Sequence, residues 1–162
     1  MLNKLYDIAD KAMQLNETQL FVKVVSDKEI QEFILDLNRL EQLFKSGIDS
    51  EGNNLAGYSY MTEMVNRGNS FTYKSVSNRK LAGDSAFLFD SGDFYKTFEV
   101  IVNKNGSFII EADDQKGEDY LTDRYGLAIL GLTDENKTEL SKKMLPILKE
   151  LVRKSFFKKV LP

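Results

Sequence analysis

The sequence predicts an α+β fold. An antiparallel β-sheet, with its central hairpin at about residues 95–112, is packed by N-terminal helices and a C-terminal helix, and long loops join them. Three observations predict it. All ten glycines fall between Gly47 and Gly131, so both ends lack the residue that most often interrupts a helix. Both glycine-free flanks carry apolar residues at helical spacing. Between them, Asn105-Gly106 separates two β-rich runs, the signature of a tight hairpin.

The elements follow in order. Residues 2–15 read as a helix, with Leu2, Leu5, Ile8, Ala9, Ala12 and Met13 recurring at helical intervals. Asn16 to Gln19 is a helix restart with Asn16 as N-cap and Gln19 three residues on. Leu20, Phe21, Val24 and Val25 continue it, and the β-branched valines leave a short strand as the alternative. Ser26-Asp-Lys-Glu29 is a second capping box, opening a helix over about 27–45 with Ile30, Phe33, Ile34, Leu37, Leu40, Leu43 and Phe44 on one broad face. Gly47 is its stop signal.

Residues 46–70 hold four glycines with several Asn and Ser and show no periodicity, which predicts a long loop. Its segment from Asp49 to Asn54 resembles the start of a calcium-binding loop, but Asn54 stands where that loop needs glycine and Tyr60 where it needs a bidentate acid. A turn-rich loop is the better reading.

The centre reads as sheet. Phe87 to Phe89 is a short apolar run, and Asp90 can cap one helical turn through Tyr95. Thr97 to Val102 and Ser107 to Ala112 are the two hairpin strands, with Phe108 and Ile110 alternating against Ile109 and Glu111. Phe71, Tyr73, Phe87, Phe89, Phe94, Tyr95 and Phe98 suit the sheet's buried face, although the same aromatics could stack bases. Tyr125 to Gly131 is a short apolar segment before the last helix, which Thr133 caps and which Asp134 and Glu135 favour at its positive end. Leu140, Met144, Ile147, Leu148, Leu151 and Val152 form its buried stripe, and Pro146 should kink or split it.

Composition narrows the chemistry. The chain contains no His and no Cys, which excludes a Ser-His-Asp triad, a thiol nucleophile and a thiolate metal centre. The acids from Glu111 to Asp119 could pair as acid and base, but a solvated loop explains them more simply. Ser91-Gly92 lacks the surroundings of a nucleophile elbow, and the glycines match no phosphate-loop spacing. No enzymatic activity, metal or cofactor is expected. The N-terminus is charged throughout and the apolar runs are short, so neither a signal peptide nor a membrane partner is expected.

Charge is polarised. From Lys142 onward there are seven basic residues against Glu150 alone, within a chain of net charge −3. Such a tail either complements the helix dipole or meets an acidic partner, whether nucleic acid, an acidic protein or a neighbouring copy. Lys154, Phe156, Phe157, Lys158 and Lys159 are its candidate interface residues.

Three motifs in order resemble the tail-completion and virion-morphogenesis proteins of tailed bacteriophages, the small neck or tail-terminator proteins of the head–tail joint. The first is a helix ending in Phe44, then Gly47-Ile-Asp49-Ser-Glu-Gly52, then Tyr58-Ser59. The second is Leu88-Phe-Asp-Ser91-Gly92-Asp-Phe94-Tyr-Lys-Thr97-Phe98 ahead of a strand. The third is Ile129-Leu-Gly131-Leu132-Thr133-Asp-Glu135 entering a terminal helix. The resemblance covers about residues 27–155. Tyr58 stands where the family usually has another aromatic, often Trp, and Asp93-Phe94 replaces a commoner small-polar and leucine pair.

The resemblance implies residues 1–26 as an N-terminal arm and 27–162 as a single domain. It implies architectural roles, with Ser91 and Gly92 turning into the short helix and Leu132 anchoring the last helix on the sheet. The expected partners are copies of itself in a ring, on the order of six or twelve subunits. Other neck, tail or portal-associated virion proteins are further partners, with DNA in the channel as a possible contact. The expected location is the virion, after assembly in the host cytoplasm. The alternative is a small nucleic-acid- or protein-binding module that uses the basic C-terminal helix.

Overall fold

The computed structural model describes residues 16–68, 82–89, 92–116 and 119–157. The expected helix over 2–15, the cap Asp90, Ser91, Phe71, Tyr73, Lys158 and Lys159 lie outside them. The fold is α+β, built among the described residues from helices and two two-stranded antiparallel sheets.

Helix α1, Glu17–Val25, settles the helix-or-strand alternative in favour of the helix. Asn16 is its N-cap, its side chain accepting from the Gln19 N–H at 3.0 Å. Helix α2, Lys28–Asp36, is capped by Asp27, which accepts from the Glu29 N–H at 2.9 Å, whereas Ser26 closes α1. The N-cap thus sits one residue later than the expected box places it, and with Ile30 three residues on, no capping box forms. The expected helix over 27–45 then changes type, because Leu37–Ser46 is a π-helix. It ends at Gly47, whose left-handed φ of 64° is the stop the sequence predicts.

The long loop is shorter than expected. Residues Tyr60–Gly68 form helix α3, with Ser59 Oγ accepting from the Thr62 N–H at 3.1 Å. Glycine density hid this helix. Gly57 and Gly68 bracket it, but the residues from Ser59 to Asn66 contain none and begin with an N-cap serine.

Helix α4, Asp93–Lys96, leads into β1, Glu99–Val102, which pairs with β2, Phe108–Glu111. The Asn103–Gly106 turn joins them, and the Asn103 N–H donates to Ser107 O at 2.8 Å. Alternation is as expected: Ile110 is buried and Val100, Val102 and Phe108 half-buried, while Glu99, Ile101, Ile109 and Glu111 face outward. A minimal hairpin, β3 Gln115–Lys116 with β4 Asp119–Tyr120, precedes α5, Leu121–Tyr125, and a 3-10 turn, Leu127–Ile129.

Helix α6, Asp134–Phe157, runs continuously through Pro146, so the expected split does not occur. Pro146 is exposed, and water can satisfy the carbonyl that its ring leaves without a donor. The expected packing of this helix on the sheet is also corrected: α6 packs chiefly on α1 and α2. Leu140 and Met144 are buried there, and the Lys143 ammonium reaches Glu29 of α2 at 2.6 Å. Helix α2 is the central element, since β1 packs against it as well. Val24 and Val25 are fully buried in the same core as Ile30, Ile34 and Ile129, so the helical part of the N-terminal arm shares the core of the domain. Each such side chain contributes about 1.5–3 kcal/mol through burial.

Among the described residues, the Asp114 carboxyl departs from its ordinary value. Burial pushes the Asp114 carboxyl up, but hydrogen bonds from the Thr122 hydroxyl, the Thr122 N–H and its own backbone outweigh this and hold it below its ordinary value. A carboxyl depressed in the folded state stabilises above its unfolded pKa, and that contribution is lost as pH falls through the folded value. Asp114→Asn should therefore flatten the acid limb of a Tm-versus-pH curve below about pH 4. Thermal scans of both proteins across that range check it.

Candidate functional site

The π-helix places two carboxamides in the core. Asn38 and Gln42 are almost completely buried, at 0% and 1% exposure. They continue the stripe of Ile30 and Ile34 at four-residue steps, so they occupy core positions that the pattern would give to aliphatics. Their targets are the backbone between the 3-10 turn and α6. The Asn38 amide donates to Ile129 O at 3.1 Å and to Gly131 O at 2.7 Å. The Gln42 amide donates to Gly131 O at 2.9 Å, and its carbonyl oxygen accepts from the Thr133 N–H at 3.0 Å. Asn136 joins from the first turn of α6, donating to Gln42 Oε1 at 3.2 Å and to Leu37 O at 3.0 Å. Asn38 Oδ1 is buried without a hydrogen-bond partner, a cost of about 1–3 kcal/mol that the rest of the network offsets.

The glycine–aspartate loop closes on the same place. Asp49 Oδ1 accepts from the N–H groups of Glu51 and Asn53, both at 2.9 Å, and Oδ2 accepts from the Asn53 side chain at 3.3 Å. Asp49 is thus a turn cap, its lone pairs directed at the chain's own donors. Gly52 completes the turn at φ 82°. The loop then meets the α6 entry: the Ser50 N–H donates to Ala128 O at 2.8 Å, and a Cβ on Gly131 would lie 2.9 Å from Ser50 Cβ. Gly47 is needed twice over, for its positive φ and because a Cβ there would stand 2.9 Å from Ser85 Cβ and 3.1 Å from Ala86 O. Leu132 and Thr133 are both buried, and Thr133 Oγ1 caps α6 by accepting from the Asn136 N–H at 3.2 Å.

A second group is aromatic. Phe44, on the π-helix, meets Phe87, Phe89 and Tyr95 edge-on at 5.5, 5.3 and 6.4 Å. Tyr58 packs on Phe87 at 5.4 Å, and its hydroxyl accepts from the Phe87 N–H at 3.1 Å. The Tyr95 hydroxyl donates to Phe87 O at 2.5 Å. Phe94 and Phe98 stack edge-on at 4.8 Å, and Gly92, at φ 84°, opens α4 beneath the Phe89 ring. These rings therefore gather around Phe44 more than they line the hairpin. Leu88, between two of them, adopts φ 49°, a left-handed conformation costly for a branched residue and held by its anchored neighbours.

The candidate residues thus fall into three places. Gly131, Leu132 and Thr133 lie at the amide clasp, and Gly47, Asp49 and Gly52 shape the adjacent loop whose Ser50 meets Gly131. Phe44, Tyr58, Gly92, Phe94 and Phe98 belong to the aromatic cluster. Lys154 is exposed near the end of α6, 3.6 Å from Glu150, and Phe156 and Phe157 lie in its last turn. Asn38, Gln42 and Asn136 escaped the sequence reading. The available signal was a pair of amides on an otherwise aliphatic stripe.

Among the described residues, no cluster of three or more His, Cys, Asp or Glu side chains is placed to hold a metal ion. No described helix is long and apolar enough to cross a membrane. Comparison with known proteins finds no matching family model, curated protein or solved structure.

Two outcomes follow from this geometry. Gln42→Leu leaves the Thr133 N–H without its partner and should lower unfolding stability by about 2–3 kcal/mol. Chemical denaturation should show this as a lower midpoint at unchanged slope. Gly131→Ala should destabilise through its clash with Ser50, and adding Ser50→Gly should recover most of the loss. Additive effects in that double-mutant cycle would contradict the contact.

Proposed function

We propose that the chain is a structural virion protein of a tailed bacteriophage, forming a homo-oligomeric ring at the head–tail connector, neck or tail terminus, with no enzymatic role. The observation that carries this reading is the convergence of the first and third motifs. Gly131, Leu132 and Thr133 of the third motif form the backbone held at the Asn38–Gln42 clasp, and Ser50, in the turn that Gly47, Asp49 and Gly52 of the first motif shape, meets it at Ala128 and Gly131, although about 80 residues separate the two motifs in sequence. Their roles there are those of backbone architecture: a helix stop, a turn cap, a close approach and a helix start. A ring subunit needs such a stiffened scaffold and recurrent surface contacts more than it needs a reactive centre. Neck, tail and portal-associated proteins are the natural further partners, and the virion the natural location.

The second reading, a binding module for nucleic acid or acidic protein, has one observation in its favour. Lys149, Arg153 and Lys154 are exposed near the end of α6, with Glu150 as the nearby acid. Several other cations of this helix are engaged within the chain, Lys142 with Glu139 and Lys143 with Glu29.

Mass spectrometry of purified particles and electron microscopy of the isolated protein test the first reading. Its expected outcome is the protein in virions and rings in micrographs. A strictly monomeric protein absent from particles overturns it. Salt-dependent affinity for DNA, lost on replacing Lys149, Arg153 and Lys154, would favour the second.

A further inference from the structure

We propose that the outer face of the β1–β2 hairpin docks the Leu145–Lys149–Arg153 face of α6 from a second copy of this chain. The inference rests on the ring reading and adds to it the two surfaces that meet.

The hairpin register puts Ile101 directly opposite Ile109 and Glu99 directly opposite Glu111, all on the face turned from the core. Ile101 and Ile109 are 37% and 46% exposed, a cross-strand apolar pair left in water. Beside it the two glutamates form a like-charged cross-strand pair, an arrangement that destabilises a sheet. Neither has an ion-pair partner among the described residues. The face is thus an apolar pair followed by an unneutralised acidic pair.

The α6 surface carries the complementary order. Leu145, Lys149 and Arg153 recur at four-residue steps, so they share one helix face. Leu145 is 49% exposed and Lys149 is exposed. Arg153 has a side chain 74% exposed and only a long contact, 3.9 Å, to Glu150. The face is therefore apolar, then basic, then basic. The spacings agree as well. Two residues along a strand advance about 6.6 Å, and four along a helix about 6 Å. A helix lying along the strands would set Leu145 over Ile101 and Ile109 and Lys149 over the two carboxylates. Arg153, one turn further, has the length to reach back to the same pair.

The two patches are different surfaces of one chain, so each copy can give one patch to one neighbour and the other to the next, a heterologous contact. Repetition of such a contact closes a ring or extends a filament. It would also relieve the Glu99–Glu111 repulsion, which nothing within the described part of the chain neutralises.

Charge exchange tests this on the full chain by sedimentation equilibrium, with circular dichroism to verify folding. Wild type should self-associate, more weakly at high salt. E99K/E111K and K149E/R153E should each weaken association by at least about tenfold. An equimolar mixture of the two variants should regain it, because each then offers a complementary surface to the other. The chain carrying all four changes should regain it alone. Wild-type assembly that neither variant weakens overturns this contact and leaves the ring reading standing on another interface. Loss without recovery, in the mixture and the fourfold variant, also overturns it. A wild type that stays monomeric at every concentration overturns this contact, and if it is also absent from purified particles the ring reading falls with it.

Discussion

Two buried carboxamides hold the molecule's parts in register. Helix α2 and the π-helix that continues it form the spine, and α6 must be started at a definite point beside them. Hydrophobic packing is non-directional and would allow α6 to slide along its own stripe. Directional hydrogen bonds do not. Asn38 and Gln42 take the carbonyl of Gly131 from two sides, and Gln42 also receives the Thr133 N–H, one of the donors near a helix start. The start of α6 is thereby pinned to the middle of the π-helix. The change from α to π geometry occurs along this same stretch, where the Leu37 carbonyl accepts from Asn136 of the helix being positioned. Interrupting the regular ladder leaves backbone groups open to outside partners, and here the partner comes from α6.

Around this clasp the close approaches are cumulative. Gly131 lets the Ser50 side chain come within contact distance, and Gly47 lets the Ser85–Ala86 backbone do the same. Asp49 keeps the intervening turn rigid by binding its own N–H groups, so Ser50 is delivered to Ala128 in one orientation. On the other side of the π-helix, Phe44 extends the same spine into the aromatic cluster, and Arg39 ties it to α4 by donating to Tyr95 O at 3.4 Å. One ten-residue element thus organises the loop, the rings and the last helix.

Much of this was legible from local signals. The caps at Asn16 and Thr133, the stop at Gly47, the Asn-Gly hairpin and its alternation depend on residues within a few positions of each other, and these signals read correctly. The failures have a common cause in long-range or averaged information. The π-helix has no periodic signature distinct from an α-helix over ten residues. The amides at 38 and 42 acquire meaning only through partners about 90 positions away. Helix α3 was masked because glycines at its borders were averaged into its interior. The seat of α6 on α1 and α2, in place of the sheet, follows from the small size of that sheet, which a single hairpin motif does not reveal.

That small size has a further consequence. A two-stranded hairpin is at best marginally stable alone, so β1 and β2 depend on the apolar face they turn to α2. Val100, Val102, Phe108 and Ile110 supply that face and use up one side of each strand. The other side is free of folding duty, yet it is not the uniformly polar surface that solubility alone would favour. It keeps an isoleucine pair and two facing glutamates, both mildly unfavourable in the isolated chain. The exposed Leu145 beside Lys149 is a similar residue without a role in the core stripe. Such local choices conflict with the stability of the single chain and agree with each other across two surfaces, and that agreement is what favours the proposed contact between copies.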